Sequence, residues 1–412
     1  MLLPMPNKKE NIRAIITFLI VFILAVTSFF LLWQYRLGNK SRVVEYRPYD
    51  KIAKYGPYDE IHVFSILDEG FAISYKKEGN NYLRINDKIY GPYSLPVLDF
   101  AIDKNQFIFS YDKNRYTYIT LDNKKNLEVL PPGSMIGKIN LSNGHFGFTY
   151  LDPKNSLWYV NVDNKIYGPY DVVPFFCLAL DQGRFGFSYR KLVTKQSPEH
   201  MLWPKHMLWY ENINNQIYGP YDVALCPVIF NDNFGFGYGV VKNRKYQYYI
   251  NINDHVYGPY KDLLNIAFSD KNFAFGYVTE NDQIYFNINN KLYGPYKLNT
   301  APALLTLSKL SKSKIILSNN NFGFLYPDKN KWHININGII DQAYEDIDGF
   351  HMSGNNFGFV YKDHGKWYMN INGQIYGPYE NYYEGSFSLS AKNFGFICKK
   401  DDKFYVVIGV IR

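Results

Sequence analysis

Short runs in which apolar and polar residues alternate recur along most of the chain, and they predict β-strands. In the run FGFLY, Phe322, Phe324 and Tyr326 fall on one side of an extended chain, while Gly323 leaves the other side open. The next run, WHINI at 332–336, alternates in the same way. Aromatic and β-branched residues dominate these runs, which is typical of pleated, half-buried strands. The pattern therefore predicts an all-β protein.

The strands belong to a repeating unit of roughly 36–39 residues, a length that indicates a propeller, a solenoid or an array. Each unit holds a strand like Phe-Gly-Phe, a strand like Trp-Tyr-x-Asn-Ile-Asn, the tetrapeptide Tyr-Gly-Pro-Tyr and an apolar stretch. The strand like Phe-Gly-Phe has nine slots, which begin at Phe71, Phe107, Phe146, Phe185, Phe234, Phe273, Phe322, Phe357 and Phe394. The tetrapeptide occurs seven times, beginning at Tyr55, Tyr90, Tyr167, Tyr218, Tyr257, Tyr293 and Tyr376.

The tetrapeptide predicts the outermost strand of each unit. Proline cannot donate to a strand ladder, so it belongs on an edge strand or at a bulge, and the glycine beside it permits the bend. Such a strand discourages edge-to-edge pairing. Just before it, pairs such as Asn214-Asn215, Asn253-Asp254 and Asn289-Asn290 favour two-residue hairpins with positive φ. A motif written once per unit is therefore architecture.

Four antiparallel strands per unit predict the blade of a β-propeller. The first recognisable phrase, KYGPYD, is an outer strand with no blade before it, and the last unit stops after its third strand. We expect these two ends to pair and close the ring. Nine slots predict nine blades. A count of eight blades is the alternative, because the edge strands at 126–134 and 339–347 match the repeat least well and one of these units would then form no blade.

The run NIAFSDKNFAFGYVTENDQIYFNINNKLYGPY at 265–296 resembles the TolB-like, WD-repeat-like propeller repeats of bacterial and archaeal proteins. The resemblance covers about residues 44–412, and Phe268-Ser269 and Trp367-Tyr368 are among its better matches. It implies that the apolar strand of each unit, such as 263–269, lies innermost around a channel. The Gly-His and Trp-Asp signatures of true WD repeats are absent from the sequence. The resemblance implies a fold and leaves the function open, since propellers host both binding and catalysis.

The amino-terminal region predicts one transmembrane helix before the propeller. Residues 14–33 are an uncharged apolar run of the length needed to cross a bilayer. They follow a short basic tail, 1–13, and precede a linker, 34–50, and the repeat domain, 51–412. A cleavable signal is the weaker alternative, because the apolar run continues past its only small-residue stretch. We expect a signal anchor in the lipid bilayer, with the amino terminus in the cytoplasm and the propeller outside it.

Charge and cysteine content limit the partners and the metal or redox chemistry that the sequence predicts. The net charge of +8 over 412 residues is modest and its basic residues are scattered, which argues against nucleic acid as a partner. The three cysteines, Cys177, Cys226 and Cys398, have no metal-binding spacing. They are either small buried hydrophobes, or Cys177 and Cys226 form a disulfide outside the cytosol. No cofactor and no metal site is predicted.

An acidic residue follows several copies of the tetrapeptide. Those singled out as weak partner-contact candidates are Asp59, Asp171, Asp222 and Glu380. On one rim of a ring they would bind a cation or a basic partner. The alternative, which we favour, is that each caps or turns its own loop.

Two insertions interrupt the repeat. The first, at 191–210, contains His200, Met201, Trp203, His206 and Met207. Its histidines and methionines are soft ligands of the kind that hold copper, but the spacing matches no metal motif, so a hairpin tip is the better interpretation. Loops often carry function, which makes His200, Trp203 and His206 further candidates for partner contact. The second insertion, at 297–316, is either an amphipathic helix near the membrane or a long loop.

The sequence contains none of the hydrolase, metalloprotease or P-loop motifs G-x-S-x-G, H-E-x-x-H and G-x-x-x-x-G-K-[ST]. We therefore predict no enzyme. The leading hypothesis is a membrane-anchored, extracytoplasmic binding or scaffolding module whose partner is a protein or a glycan of the cell envelope. The alternatives are a propeller hydrolase acting on envelope polysaccharide and a purely structural envelope protein.

Overall fold

A computed structural model of the chain describes residues 53–104, 106–122, 124–192, 207–297, 312–328, 331–379 and 381–411. The described residues form nine antiparallel sheets of four strands each, which are the blades of a nine-bladed propeller. The predicted tail, 1–13, anchor, 14–33, and linker, 34–50, lie outside the described residues. Within the described ranges, no helix has both the length and the apolar character needed to span a bilayer.

In each blade, strand 1 is the innermost strand and strand 4 the outermost. In blades 1 to 3 the strands are β2 Glu60–Leu67, β3 Gly70–Lys77, β4 Asn80–Ile85, β5 Lys88–Tyr93; β6 Phe100–Asp103, β7 Gln106–Lys113, β8 Tyr116–Leu121, β9 Lys125–Leu130; β10 Met135–Ser142, β11 His145–Asp152, β12 Leu157–Val162 and β13 Lys165–Tyr170. In blades 4 to 6 they are β14 Leu178–Asp181, β15 Arg184–Leu192, β16 Met207–Ile213, β17 Gln216–Tyr221; β18 Val223–Phe230, β19 Asn233–Lys242, β20 Lys245–Ile252, β21 His255–Tyr260; β22 Asp262–Ser269, β23 Asn272–Val278, β24 Gln283–Ile288 and β25 Lys291–Lys297. In blades 7 and 8 they are β26 Ile315–Ser318, β27 Asn321–Asp328, β28 Lys331–Ile336, β29 Ile339–Ile340; β30 Asp346–Ser353, β31 Asn356–Asp363, β32 Lys366–Ile371 and β33 Gln374–Tyr379. Blade 9 combines β34 Ser388–Leu389, β35 Asn393–Lys400, β36 Lys403–Val410 and the amino-terminal β1 Ala53–Tyr58.

The ring closes as the sequence predicts. Strand β1 pairs with β36, with Ala53 opposite Ile408, so the first described strand becomes the outer strand of the last blade. Both units with weak edge strands form blades, which gives nine blades and excludes eight. In blade 7 the outer strand shortens to Ile339–Ile340, and an isolated bridge between Trp332 and Tyr344 continues the pairing.

A bulge explains the repeated tetrapeptide. In blade 3, Tyr167 lies opposite Val160 and Tyr170 opposite Trp158, so three residue steps on the outer strand face two on its neighbour. The extra residue puts both tyrosines on the same side of the sheet, although their odd spacing would otherwise separate them. The bulge needs Gly168, whose φ is +125° and whose Cβ would lie 2.9 Å from the backbone oxygen of Trp158. All seven Gly-Pro bonds of the tetrapeptides are cis.

In the blades that carry the tetrapeptide, the paired tyrosines pack against the next blade. The ring of Tyr167 packs against Phe185 of blade 4 with centroids 5.2 Å apart, and Tyr170 packs against Tyr189 at 4.2 Å. Between them Phe187 is fully buried. The prediction of an outermost strand is therefore confirmed. The bulge in that strand and the packing of its tyrosines between blades were not predicted from the sequence.

The meander gives the propeller two distinct faces. Turns between strands 1 and 2 and between strands 3 and 4 lie at one end of every blade, which we call the lower face. Turns between strands 2 and 3, and the connections from strand 4 to the next blade, lie at the other end, the upper face. The lower-face hairpins have the predicted geometry, with φ of 49° at Asn214 and 73° at Asn215. The side chain of Asn214 also accepts a hydrogen bond of 2.7 Å from the backbone N–H of Phe185.

Candidate partner-binding face

Large apolar side chains are exposed at the upper ends of blades 2, 3, 4 and 5, in the connections that lead into blades 2 and 4 and near the start of the innermost strands of blades 3 and 5. Phe176 has 82% of its surface exposed and Leu98 has 68%. We call the whole set the apolar arc; its members are Leu95, Leu98, Met135, Phe175, Phe176 and Leu225. Among the described residues of the other upper-face connections, Tyr383 alone is a large exposed apolar residue. Two adjacent loop phenylalanines in solvent need a reason beyond the repeat.

Polar and packing contacts hold neighbouring parts of the arc together. The carboxylate of Asp99, next to Leu98, accepts hydrogen bonds from the backbone N–H of Ile139, at 2.7 Å, and from Nζ of Lys138, at 3.3 Å. This joins the connection into blade 2 to the innermost strand of blade 3. The ring of Phe175 meets Trp158 edge-on with centroids 5.1 Å apart. The connection into blade 4 is therefore anchored on blade 3.

A disulfide lies within the arc. Cys177, directly after Phe176, is bonded to Cys226, directly after Leu225, and their Cα atoms are 4.6 Å apart. The bond joins the connection into blade 4 to the innermost strand of blade 5. The sequence left this pairing open between a disulfide and two buried thiols, and the structure contains the disulfide. It thereby fixes the connection that carries Phe176 to blade 5.

The turns between strands 2 and 3 of blades 2 to 5 surround the arc on the same face and are basic. Their exposed basic residues, which we call the basic turns, are Lys113, Arg115, Lys154, Lys191, Lys242, Arg244 and Lys245. The acids beside them are half-buried and already accept hydrogen bonds. Asp112 accepts one from the hydroxyl of Thr117 at 2.6 Å, and Asp152 accepts one from the backbone N–H of Lys154 at 3.0 Å.

The predicted acidic candidates are structural acceptors at separate blade junctions. Asp171 accepts a hydrogen bond of 2.8 Å from the backbone N–H of Leu192, and Asp222 accepts one of 2.6 Å from Val241. Asp59 accepts from Glu78 at 2.6 Å and from Nζ of Lys403, whose hydrogen bond lowers the pKa of the Asp59 carboxyl. Each carboxylate thus supports the 2–3 turn of the blade that follows it. Glu380 lies outside the described residues.

The insertion candidates His200, Trp203 and His206 also lie outside the described residues. Within this insertion, Leu192 and Met207 belong to strands β15 and β16 and pair with each other at the upper end of blade 4. Residues 298–311 of the second insertion are likewise outside the described ranges, so its two alternatives stay predictions. Among the residues that the structure describes, no group of three or more His, Cys, Asp and Glu side chains is arranged to hold a metal ion.

A polar cluster lies on the opposite side of the ring, in blades 7 to 9. One carboxylate oxygen of Asp348 accepts hydrogen bonds of 2.6 Å from the hydroxyl of Tyr382 and from the backbone N–H of Gly385. Burial, together with the positive charge of Lys314, lowers the pKa of His351 to about 4. Burial also lowers the pKa of Lys314, which the charge of Asp348 partly opposes. At neutral pH His351 is therefore uncharged, and Asp348 is held by the two donors.

Sequence reasoning missed one ionisable residue, Glu211 in the third strand of blade 4. Its side chain is fully buried and accepts a hydrogen bond from the hydroxyl of Ser188, at 2.8 Å from Oε1. Burial raises the pKa of the Glu211 carboxyl well above its usual value. The other eight blades have a fully buried apolar residue at this position: Leu83, Ile119, Val160, Ile250, Phe286, Ile334, Met369 and Val406. An alignment of the nine units would have revealed the exception.

Comparisons with known proteins found similar solved structures but no matching family. No protein-family model and no curated protein matches the sequence. Among solved structures, the chain is similar to the β-propeller domain of the Trilobed protease from Pyrococcus furiosus, with 8% identity over 69% of this chain and 97% of that one, and a TM-score of 0.38. It is also similar to the Pyrococcus horikoshii acylaminoacyl peptidase, at 10% identity over 74% of this chain and 57% of that one, with a TM-score of 0.34. A chain of the mitotic checkpoint complex gives 11% identity over 74% of this chain and 86% of that one, with a TM-score of 0.33.

The assignment to propellers therefore rests on the strand pairing of this chain. A TolB-like relationship in particular stays a prediction.

Proposed function

We propose that this propeller is a binding module for another protein and that the upper face of blades 2 to 5 is its contact surface. The observation that carries the proposal is the exposure of Phe176 and Leu98 within the apolar arc. A group of exposed apolar residues with a polar surround is typical of a protein interaction site. Aromatic residues at the centre of such a site contribute much of the binding energy.

Rigidity supports the same conclusion. The connection that carries Phe175 and Phe176 is packed on Trp158 and bonded to blade 5 through the disulfide. A contact surface that is already ordered loses less conformational entropy when a partner binds. The arc therefore has the fixed geometry of a recognition surface.

The disulfide also supports a location outside the cytoplasm, because disulfides persist in oxidising compartments and are rare in the cytosol. Together with the apolar run at 14–33, it favours a membrane-anchored protein whose propeller is extracytoplasmic. Both the anchor and the compartment are parts of this proposal.

Quantitative co-purification tests the proposal. The full-length protein, extracted from its own membranes in mild detergent, is compared with the variant Leu98→Ser/Phe176→Ser. The matched control is Ile166→Ser/Ile217→Ser, which alters exposed aliphatic residues of the outer strands. We expect specific proteins to be lost from the arc variant and retained by the control, with each arc residue contributing about 2 kcal/mol or more. Equal protein recovery with all three, or recovery of polysaccharide alone, would contradict the proposal.

A further inference from the structure

We infer that the partner of this face is an acidic protein segment, in which carboxylates lie beside apolar side chains. This rests on the proposed function and adds the chemistry of the partner to it. The observation behind it is that the apolar arc and the basic turns occupy the same four blades of the same face.

The basic turns have few internal partners for their charge. Lys113, Arg115 and Lys245 are exposed, and the described residues offer them no ion pair. Over all four turns, the described residues include seven exposed basic side chains and no exposed acidic one. Charges of one sign that lack internal partners attract an oppositely charged surface.

The remaining blades show what balanced turns look like in this fold. In blade 9 the turn between strands 2 and 3 contains Lys399 and Asp402, whose charged atoms are 3.0 Å apart. In blade 1, Lys77 stands beside Glu78. Lys403 is hydrogen-bonded to Asp59. The repeat therefore does not require a turn whose exposed charges are all basic.

An acidic protein segment fits better than an anionic membrane. A flat membrane against the upper face would meet the whole ring, including exposed carboxylates on the other blades. These are Glu78, Glu280, Asp328, Glu384 and Asp401. An anionic surface would repel them, whereas a bounded segment covers only the blades that complement it. On such a segment, apolar side chains would contact the arc and carboxylates would point outward to the turns.

A binding assay with defined probes tests the inference on the full-length protein in detergent. The probes are a fluorescent copolymer of glutamate and tyrosine, a copolymer of lysine and tyrosine with the same tyrosine content, and phosphatidylglycerol vesicles. Binding is measured at about 50 mM and about 300 mM NaCl, because salt screens exposed charges over about a Debye length. We expect the acidic copolymer to bind and the basic one not to bind. The higher salt concentration should weaken the binding of the acidic copolymer about tenfold.

Two charge variants localise the effect. Lys242→Glu/Arg244→Glu/Lys245→Glu reverses the blade 5 turn, and Lys77→Glu/Lys399→Glu/Lys400→Glu reverses as many charges on blades 1 and 9. The blade 5 variant should bind the acidic copolymer about tenfold more weakly than the wild type, and the variant of blades 1 and 9 less than about twofold more weakly. A glutamine version of the first variant should give an intermediate loss, and thermal melting checks that each variant is folded.

The outcomes separate the two proposals. If the blade 5 variants bind the acidic copolymer as tightly as the wild type, or if the control variant loses as much, the acidic-partner inference is wrong. The protein-binding proposal then still stands or falls with Leu98→Ser/Phe176→Ser in the co-purification. Preferential binding to the vesicles, lost in the blade 5 variant, would overturn the inference in favour of a membrane surface.

Discussion

The junction between blades 4 and 5 and the junction between blades 5 and 6 have the same packing of tyrosines on the next blade. They differ in the other contacts that join the blades. In the first, Tyr218 packs on Phe236 at 5.1 Å and Tyr221 on Tyr238 at 4.1 Å. In the second, the same two contacts, Tyr257 with Phe275 and Tyr260 with Tyr277, measure 5.0 and 4.0 Å. The first junction also contains the disulfide between Cys177 and Cys226 and the buried carboxyl group of Glu211, and the exposed Phe176 directly precedes Cys177.

The comparison teaches how to separate construction from function in a repeat protein. Features that recur along the repeat, such as the paired tyrosines of seven of the nine blades, hold blade to blade. A feature that breaks the repeat and adds nothing to the packing of the ring needs another explanation. Phe176, Leu225 and the basic turns belong to this second group, and they lie on one face.

The largest expected effect concerns the shared part and should be equal at both junctions. Phe236→Ala and Phe275→Ala each remove a fully buried ring at the same repeat position. Each should lower the free energy of unfolding by about 3–5 kcal/mol. Urea titration of the two variants checks this. A difference of more than about 2 kcal/mol between them would mean that the two junctions are not built alike.

The disulfide should stabilise the first junction by a smaller amount. The double variant Cys177→Ser/Cys226→Ser opens a loop with a sequence separation of 49, and should lower the free energy of unfolding by about 2–4 kcal/mol. Cys398→Ser is the control, since Cys398 is a free thiol in blade 9. Loss of less than about 1 kcal/mol in the double variant would show that packing alone fixes this junction.

Glu211 should make the stability of the protein depend on pH. Because burial raises its pKa in the folded state, the folded protein keeps a proton that the unfolded chain releases above the usual carboxyl pKa of 4.5. Stability should therefore fall as pH rises above about 4.5. Glu211→Gln should flatten this slope and, at pH 7, stabilise the protein by about 1–3 kcal/mol. Ile250→Val, at the same position of blade 5, serves as the control and should leave the slope unchanged.

The smallest effect compares the residues that follow the tetrapeptide. Asp222→Ala removes the acceptor of the Val241 N–H at the first junction and should cost about 0.5–1.5 kcal/mol. At the second junction the same position is Lys261, which pairs with Asp282 at the surface. Lys261→Ala should lower the free energy of unfolding by less than about 0.5 kcal/mol. If both cost the same, the acidic residue has no special role in holding the next blade's turn.

The sequence predicts the architecture well because the architecture is repeated. Nine strands like Phe-Gly-Phe and an unmatched outer strand at Tyr55 were enough to predict a propeller of eight or nine blades and its closure, and the structure decided for nine. The shared side of the two tyrosines could not be predicted, because it depends on a bulge whose register is set by the neighbouring strand.

The candidate surface was harder to predict for physical reasons. A run such as PFFC at 174–177 has the composition of a buried strand, so Phe176 gave no sign of its exposure. A spacing of 49 residues does not bring Cys177 and Cys226 together until the blades are assembled. The basic turns are dispersed along the sequence and become one surface only in the folded ring. Asp171 and Asp222 were visible, and the structure shows that they accept hydrogen bonds from the next blade.

Photo-crosslinking tests most directly whether the departures from the repeat mark the binding surface. A photoreactive phenylalanine analogue replaces Phe176 in one full-length protein and Ile166, an exposed residue of the repeated outer strand, in another. Both are irradiated in native membranes. We expect a discrete protein adduct from position 176 and none above background from position 166. Adducts of equal yield at both positions, or an adduct at position 166 alone, would contradict the assignment of the upper face of blades 2 to 5 as the binding surface.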